Sequence, residues 1–322
     1  MEKIRIGILG TSDVAFRRFL PALKTSPNFV YIGVASRNIQ KTQKFVDLHG
    51  GKGFSGYDAL LKSDEIDALY IPLPPALHYQ WAKKALEHGK HVLLEKPFTT
   101  SLADTETLIE LARKQNLALH ENYMFIYHRQ LTKITKMLAD GIIGNIRLVR
   151  TAFGFPFRGL QDFRYSKELG GGALFDCGGY PIRLASFLLG DSARVLTAHL
   201  GYVEGIDVDV FGSATLENDA GVAVQMAFGM DNSYKCELEI WGSKGCLMAT
   251  RIFTAPADYS PEVFLTNDNK VERIWIANDN QFLNSITAFY AAISDMNVAK
   301  QNYKTILQQG HLVDDFQKRG SA

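Results

Sequence analysis

The sequence predicts an α/β protein: an N-terminal doubly wound parallel sheet followed by an α+β domain with a mostly antiparallel open sheet. Three observations carry this. Over the first 120 residues, short apolar runs alternate with amphipathic segments, the rhythm of strands buried on both faces and separated by helices. From about residue 193 to 276 the pattern alternates apolar and polar residue by residue, as half-buried antiparallel strands do. Between the first strand and first helix lies "GTSDVA", with Gly10, Ser12 and Ala15 where a G-x-G-x-x-G turn has its glycines.

The elements follow in order. "IRIGIL", "FVYIGVA", "DALYIPL", "HVLLE" and "LALHE" read as buried parallel strands. "DVAFRRFLPALKTS", "IQKTQKFVDLHG", "PALHYQWAKKALEHG" and "SLADTETLIELARKQN" read as the helices between them. Asp13 and Ser101 are the expected N-caps, and Gly50 and Gly89 the expected C-terminal stops. Beyond residue 121 the rhythm changes, which divides the chain into domains 1–121 and 122–322. A helix over roughly 128–140 leads to the strand "IRLVRTAFGF", and the glycine-rich "LGGGALFDCGGYPIRLASFLLG" opens another helix. "ARVLTAHLGYV", "DVFGSATLE", "GVAVQMAFG", "KCELEIWG" and "VERIWIA" supply antiparallel strands. "NQFLNSITAFYAAISDM" has helical spacing and is expected to pack back over the domain junction, and the terminal "FQKRGSA" reads as frayed.

Composition narrows the function. Hydrophobic residues make up 46% and the net charge is +1, so nothing long-range draws the chain to nucleic acid or an anionic membrane. No apolar run is long enough to span a bilayer, and the chain opens directly into a strand-like "KIRIGIL" without a secretory signal. Cys177, Cys236 and Cys246 are odd in number and lack C-x-x-C spacing, which argues against a disulfide framework and for a reducing cytoplasm. His120 and Glu121 resemble the start of a zinc helix, but no second histidine follows at the required spacing, so no metal is expected.

Four motifs bear chemistry. In the opening turn, Gly10 permits the tight bend, Ser12 lets the backbone approach a pyrophosphate, and Ala15 allows close helix–strand packing. The helix start over Thr11, Ser12, Asp13 and Val14 offers amides to phosphate. At the end of the second strand, Ser36 and Arg37 stand where NAD-selective proteins place an acid, and Lys41 follows one helical turn on. A hydroxyl and cations suit the 2′-phosphate of NADP. "HVLLEKPFTT" ends a buried strand in Glu95, Lys96 and Pro97 at the ligand edge of the sheet. A lysine there is costly unless paired or used; on this segment alone, a structural ion pair explains it equally well. In "GGGALFDCGGYPIR", Asp176 and Tyr180 lie four apart, on one face if the helix has begun. A phenol there is a credible proton donor to a carbonyl, although a packed tyrosine at a helix start is the plain alternative.

Together the opening turn, E-K-P after the fourth strand and G-G-G-A-L-x-D-x-G some eighty residues later resemble the Gfo/Idh/MocA oxidoreductase family. The resemblance implies a Rossmann domain, a C-terminal open sheet and hydride transfer with NAD(P), with Lys96 at the family's catalytic lysine. Where inositol dehydrogenases have histidine, this chain has Tyr180, which points to the family's tyrosine branch. Within it, "GTSDVAFRRFLPAL", "HENYMFIYHRQ" and "DFRYSKELGGGALFDCGGYPIR" look most like the dTDP-sugar 3-ketoreductases of deoxysugar biosynthesis.

That likeness implies NADPH along residues 10–15, with Leu73, Pro74 and His78 bordering the nicotinamide end. It implies a substrate entering between the domains, with Tyr180 giving the proton and Lys96 stabilising the oxyanion. Asp176 is expected to orient substrate hydroxyls or Lys96, Glu95 to partner Lys96, and Arg164 to reach a phosphate or the carboxamide. Two other readings use the same residues: an NADP-dependent dehydrogenase of a free sugar or trans-dihydrodiol, and a non-catalytic NADP-sensing regulator. An open sheet with one uncovered face also predicts a homodimer or homotetramer.

Overall fold

The computed structural model describes residues 3–268 and 270–320, and the chain forms two compact units. The first comprises residues up to Asn122 together with Phe282–Gly310; the second comprises Tyr123–Gln281 and the residues from His311 on.

In the first unit, β1 (Ile4–Leu9) is followed by a π-helical turn, Ala15–Phe19, that continues into α1 (Leu20–Thr25). The chain then alternates through β2 (Phe29–Ser36), α2 (Gln40–His49), β3 (Lys52–Ser55), α3 (Tyr57–Leu61) and β4 (Ala68–Ile71). It continues with α4 (His78–Glu87), β5 (His91–Leu94), α5 (Leu102–Gln115) and β6 (Leu119–Glu121). The sheet order is β3-β2-β1-β4-β5-β6 and every pair is parallel. Strand order therefore reverses between β1 and β4, the position where such sheets take ligands at their carboxyl ends. The strands read as continuous apolar runs because both faces are covered: Ile6, Ile8, Leu69, Ile71, Val92 and Leu94 are all fully buried.

β3 escapes the sequence pattern, since its "KGFS" is an exposed edge strand with no apolar run. The cap of the first helix also differs from expectation. Ser12 Oγ accepts the Ala15 N–H at 3.2 Å, and the Ser12 carbonyl accepts the Phe16 N–H. Asp13 sits one residue inside, ion-paired to Arg17 at 2.7 Å. Ser12 is the better cap because it stands at the bend itself, one residue before the helix.

The second unit opens with α6 (Arg129–Ala139), β7 (Ile146–Gly154) and α7 (Gly179–Leu189), the last preceded by a π-helical turn over Leu174–Gly178. Seven strands follow: β8 (Arg194–Tyr202), β9 (Asp209–Glu217), β10 (Ala223–Gly229), β11 (Lys235–Gly242), β12 (Gly245–Ala249), β13 (Glu262–Asn267) and β14 (Lys270–Trp275). They form a sheet in the order β14-β13-β12-β11-β7-β10-β9-β8, antiparallel except for β7 beside β10. One face is lined by Val149, Leu216, Val224, Leu238, Ile240 and Leu247, which pack with Ile182, Leu184 and Ala185 of α7 into one core.

Two helices close the chain. α8 (Gln281–Ser294) belongs from Phe282 on to the first unit, where Phe289 stacks on Phe29 with ring centroids 6.0 Å apart. α9 (Met296–Gly320) supplies Tyr303, whose hydroxyl donates to the Leu117 carbonyl, and further on Phe316, which lies 5.5 Å from Phe228. The frayed terminus expected for "FQKRGSA" is therefore corrected through Gly320. Leu312 and Phe316, an i,i+4 apolar pair amid charged neighbours, are buried and hold the last turns down. Ser321 and Ala322 lie outside the described residues.

Candidate active site

In the first unit, the expected residues gather along one edge of the parallel sheet. Gly10 ends β1 with φ of +120°, and a Cβ there would lie 2.7 Å from Leu73 Cδ2. Only glycine combines that backbone with so close an approach of the β1 and β4 loops. With Ser12 capping Ala15, the amides of Asp13 and Val14 head the helix, positioned for an anion. A cradle of this kind fits a dinucleotide pyrophosphate. Ser36, 5% exposed at the end of β2, accepts the Asn38 N–H and turns the chain so that Arg37 and Lys41 are exposed beside it. Among the described residues neither cation has a carboxylate partner, and no acid stands at the end of β2. This group fits a phosphate better than a ribose 2′-hydroxyl.

Leu73 and Pro74 form the loop after β4. His78, at the start of α4, is turned inward beneath that loop. It is 0% exposed, with Nδ1 2.8 Å from the Pro97 carbonyl and Nε2 2.7 Å from the Leu73 carbonyl. Burial holds its pKa below the ordinary histidine value, opposed by those carbonyl contacts. Its place is between two loops of the site, tying the Leu73 turn to the Lys96–Pro97 turn.

Glu95 and Lys96 leave the end of β5, and the Lys96–Pro97 peptide is cis. Glu95 is more than a partner for Lys96. Its Oε1 accepts from the Tyr70 hydroxyl and from Asn122 Nδ2, each at 2.6 Å, and its Oε2 accepts the Lys96 N–H at 3.3 Å. Burial pushes its carboxyl above the usual range, while the bonds from Tyr70 and Asn122 and the Lys96 charge pull it back. Tyr70 is itself held by Phe19, stacked at 3.7 Å between centroids.

In the second unit, the glycine run 170–172 is wedged between two elements. A Cβ on Gly171 would lie 2.3 Å from the Arg164 carbonyl, and one on Gly172, at φ +121°, would lie 2.5 Å from Asp209 Oδ1. The turn that follows is wide, a π-helix, and carries Asp176. Asp176 is 8% exposed, and its Oδ2 accepts from Arg164 Nε at 2.7 Å. Arg164 Nη1 donates to Asp162 Oδ1 at 3.0 Å. Arg164 thus organises two carboxylates, which the sequence did not reveal. Tyr180, 6% exposed, stands in an aromatic wall with centroids of Phe153 at 5.0 Å, Tyr123 at 5.3 Å, and Phe125 and Phe253 each at 5.8 Å. Gly179 beside it is required: a Cβ there would lie 2.0 Å from the Tyr123 hydroxyl oxygen. The wall fixes the phenol ring, and α7 carries it.

Asn122, Asp209 and Ser285 were missed by sequence reasoning. Asn122 was findable as a polar residue ending a buried strand. The other two lie far along the chain from what they touch: Asp209 Oδ2 accepts the Leu174 N–H at 2.6 Å, and Ser285 Oγ donates to Asn122 Oδ1 at 2.8 Å. Among the described residues, no cluster of His, Cys, Asp and Glu could hold a metal ion.

Comparison with known proteins agrees with this organisation. Residues 4–123 match the model of an oxidoreductase family with an NAD-binding Rossmann fold, and residues 131–248 match the GFO/IDH/MocA C-terminal domain. The chain is 40% identical to a dTDP-3,4-didehydro-2,6-dideoxy-alpha-D-glucose 3-reductase of Actinomadura kijaniata, over 97% of this chain and 94% of the relative. It is also 40% identical to the enzyme of the same name from Streptomyces violaceoruber, over 98% and 94%. Among solved structures, the 3-ketoreductase KijD10 of Actinomadura kijaniata, in complex with NADP and TDP-benzene, superposes with a TM-score of 0.95 at 39% identity, covering 99% of this chain and 98% of that one. The turn at Gly10, the Lys96 turn and the glycine-wedged Tyr180 helix are thus those of a member of the GFO/IDH/MocA oxidoreductase family, to which this chain belongs.

Proposed function

We propose that the protein reduces the 3-keto group of a dTDP-linked keto-deoxysugar with NADPH. The observation that carries this is likeness along almost the whole chain to a 3-ketoreductase solved with NADP and TDP-benzene. When bound, the nicotinamide supplies the hydride. Residues 10–15 hold the pyrophosphate, Ser36, Arg37 and Lys41 take the 2′-phosphate, and Leu73 and Pro74 border the nicotinamide end. His78 contributes from beneath, by fixing both loops. Tyr180 donates the proton to the carbonyl oxygen, and Lys96 hydrogen-bonds that oxygen as negative charge develops on it. The reduced carbon gains hydride, the oxygen gains the proton, and the product is an alcohol. Asp176 orients substrate hydroxyls, its own position set by Arg164; Arg164 has Nη2 remaining to meet a phosphate or carboxamide. Glu95 supports Lys96.

The same reading makes the protein a cytoplasmic homo-oligomer. Its cysteines are free, and no helix among the described residues is long and apolar enough to cross a membrane. Tyr202, Trp241, Met248 and Trp275 are exposed on strands of the eight-stranded sheet, a surface suited to a second copy of the chain. Calorimetric titration with dTDP, with and without saturating NADPH, tests the substrate class. Micromolar binding is expected; bound NADPH without any dTDP affinity would direct the assignment to a free sugar or diol.

A further inference from the structure

All three neighbours hydrogen-bonded to Glu95 are donors: the Tyr70 hydroxyl, the Asn122 amide nitrogen and the Lys96 N–H. Each donor favours the ionised form over the acid, so the set works against the burial that raises the carboxyl's pKa and toward a carboxylate. The donor from Asn122 does not stand alone. With Nδ2 on Glu95, Asn122 presents Oδ1 to Ser285, whose Oγ donates to it at 2.8 Å. Ser285 has a single proton, so toward His120 Nε2, 3.0 Å away, it accepts. That selects the Nε2–H tautomer and leaves His120 Nδ1 as an acceptor, facing Asn302 Nδ2 at 3.4 Å. Each proton in the series therefore points toward Glu95. Asn122, His120 and Ser285 are each 1% exposed, where water cannot replace a missing partner and an unmet polar group is costly. The series also explains why α8 and the first turns of α9 belong to the first unit.

We infer that Asn122, Ser285 and His120 are positioning residues: a one-way hydrogen-bonded chain that holds the Asn122 amide on Glu95 and so keeps a fixed carboxylate at the base of the Lys96 turn. The functional consequence rests on the role proposed above for Lys96; the ionisation of Glu95 does not. Ser285→Ala removes the link without touching Glu95 or Lys96. The free Asn122 amide can then rotate, and Glu95 loses a dependable donor.

The test is an infrared pH titration of the protonated-carboxyl stretch of Glu95, identified by its loss in Glu95→Gln. In Ser285→Ala the midpoint should rise by about one pH unit, a tenfold change in proton affinity, and in Asn122→Ala by more. Ser285→Thr, which keeps the hydroxyl, should titrate as the unaltered protein does. With a dTDP-linked 3-keto sugar, Ser285→Ala should lower kcat several-fold while the Kd for NADPH holds. Should Ser285→Ala fold poorly, His120→Phe deletes the donor to Ser285 at similar volume and carries the same expectation. Midpoints unchanged in these variants would overturn the inference. Absence of turnover by the unaltered protein would instead count against the proposed function, and the titration would stand apart from it.

Discussion

Asp209, at the start of β9, accepts the backbone N–H of Leu174 on its Oδ2 at 2.6 Å, and so caps from another strand the turn that leads to Tyr180. Burial raises its pKa to about 6, opposed only by amides: those of Leu174, Asp209 itself and Ala173. Arg164 and Asp176, on the segments either side of the glycine run that Asp209 meets, are paired with each other. A carboxyl whose folded pKa exceeds its unfolded value of 3.8 adds stability that is complete below 3.8 and lost as pH rises through about 6. At pH 7.5 the ionised group therefore weighs against folding. Asp209→Asn keeps an oxygen for Leu174 and removes the charge. Urea unfolding should find the variant stabilised relative to the parent at pH 7.5 by on the order of 1 kcal/mol, the difference shrinking toward pH 4. A difference that is constant with pH would mean the carboxyl does not titrate in that window.

The end of α9 bears on stability more than its composition suggests. Phe316 is fully buried and 5.5 Å from Phe228, and Gly320 lies so close to Leu200 that a Cβ would meet its Cγ at 2.9 Å. Phe316→Ala should cost about 3 kcal/mol or more, as large-to-small changes of buried phenylalanines do. Denaturant melts of this variant would show it as a lower midpoint with an unchanged slope. A loss of a few tenths would mean that the last turns fray.

What the sequence disclosed and what it withheld divide along physical lines. The strands of the parallel sheet were legible because burial on both faces writes an unbroken apolar run, as in "ALYI" and "HVLL". β3 was not, having no buried face to write one. Glu95 and Lys96 stood out as charges at the end of such a run. His78 also stood out, but its role did not, since a histidine read as facing a ligand is chemically the same letter as one bridging two carbonyls. Asp209 and Ser285 were illegible because their partners lie 35 and 163 residues away, and nothing local distinguishes a capping aspartate from a solvated one.

Tyr180 is held by rings on several sides, so removing its hydroxyl should leave the ring in place. Tyr180→Phe should lower turnover of the 3-keto sugar roughly 10²- to 10⁴-fold, the range for a positioned general acid. NADPH affinity, read by fluorescence titration, should change little, because the proposed function gives the phenol no part in holding the cofactor. Wild-type turnover in this variant would remove Tyr180 from the chemistry.

In the function proposed above, Arg37 and Lys41 select NADPH over NADH. Both are exposed beside Ser36, where β2 ends without the acid that would repel a 2′-phosphate. A charge-assisted hydrogen bond from a guanidinium to phosphate contributes about 1.5–3 kcal/mol, and replacing it by a carboxylate adds repulsion. Arg37→Asp should therefore weaken NADPH binding about tenfold to a few hundredfold. NADH has no phosphate there and should bind the variant as well as the parent, or better through its free 2′-hydroxyl. Raising the salt concentration should narrow the NADPH difference, since these charges are exposed and screened. Paired titrations at low and moderate salt distinguish the outcomes: equal losses for both cofactors would place the 2′-phosphate elsewhere.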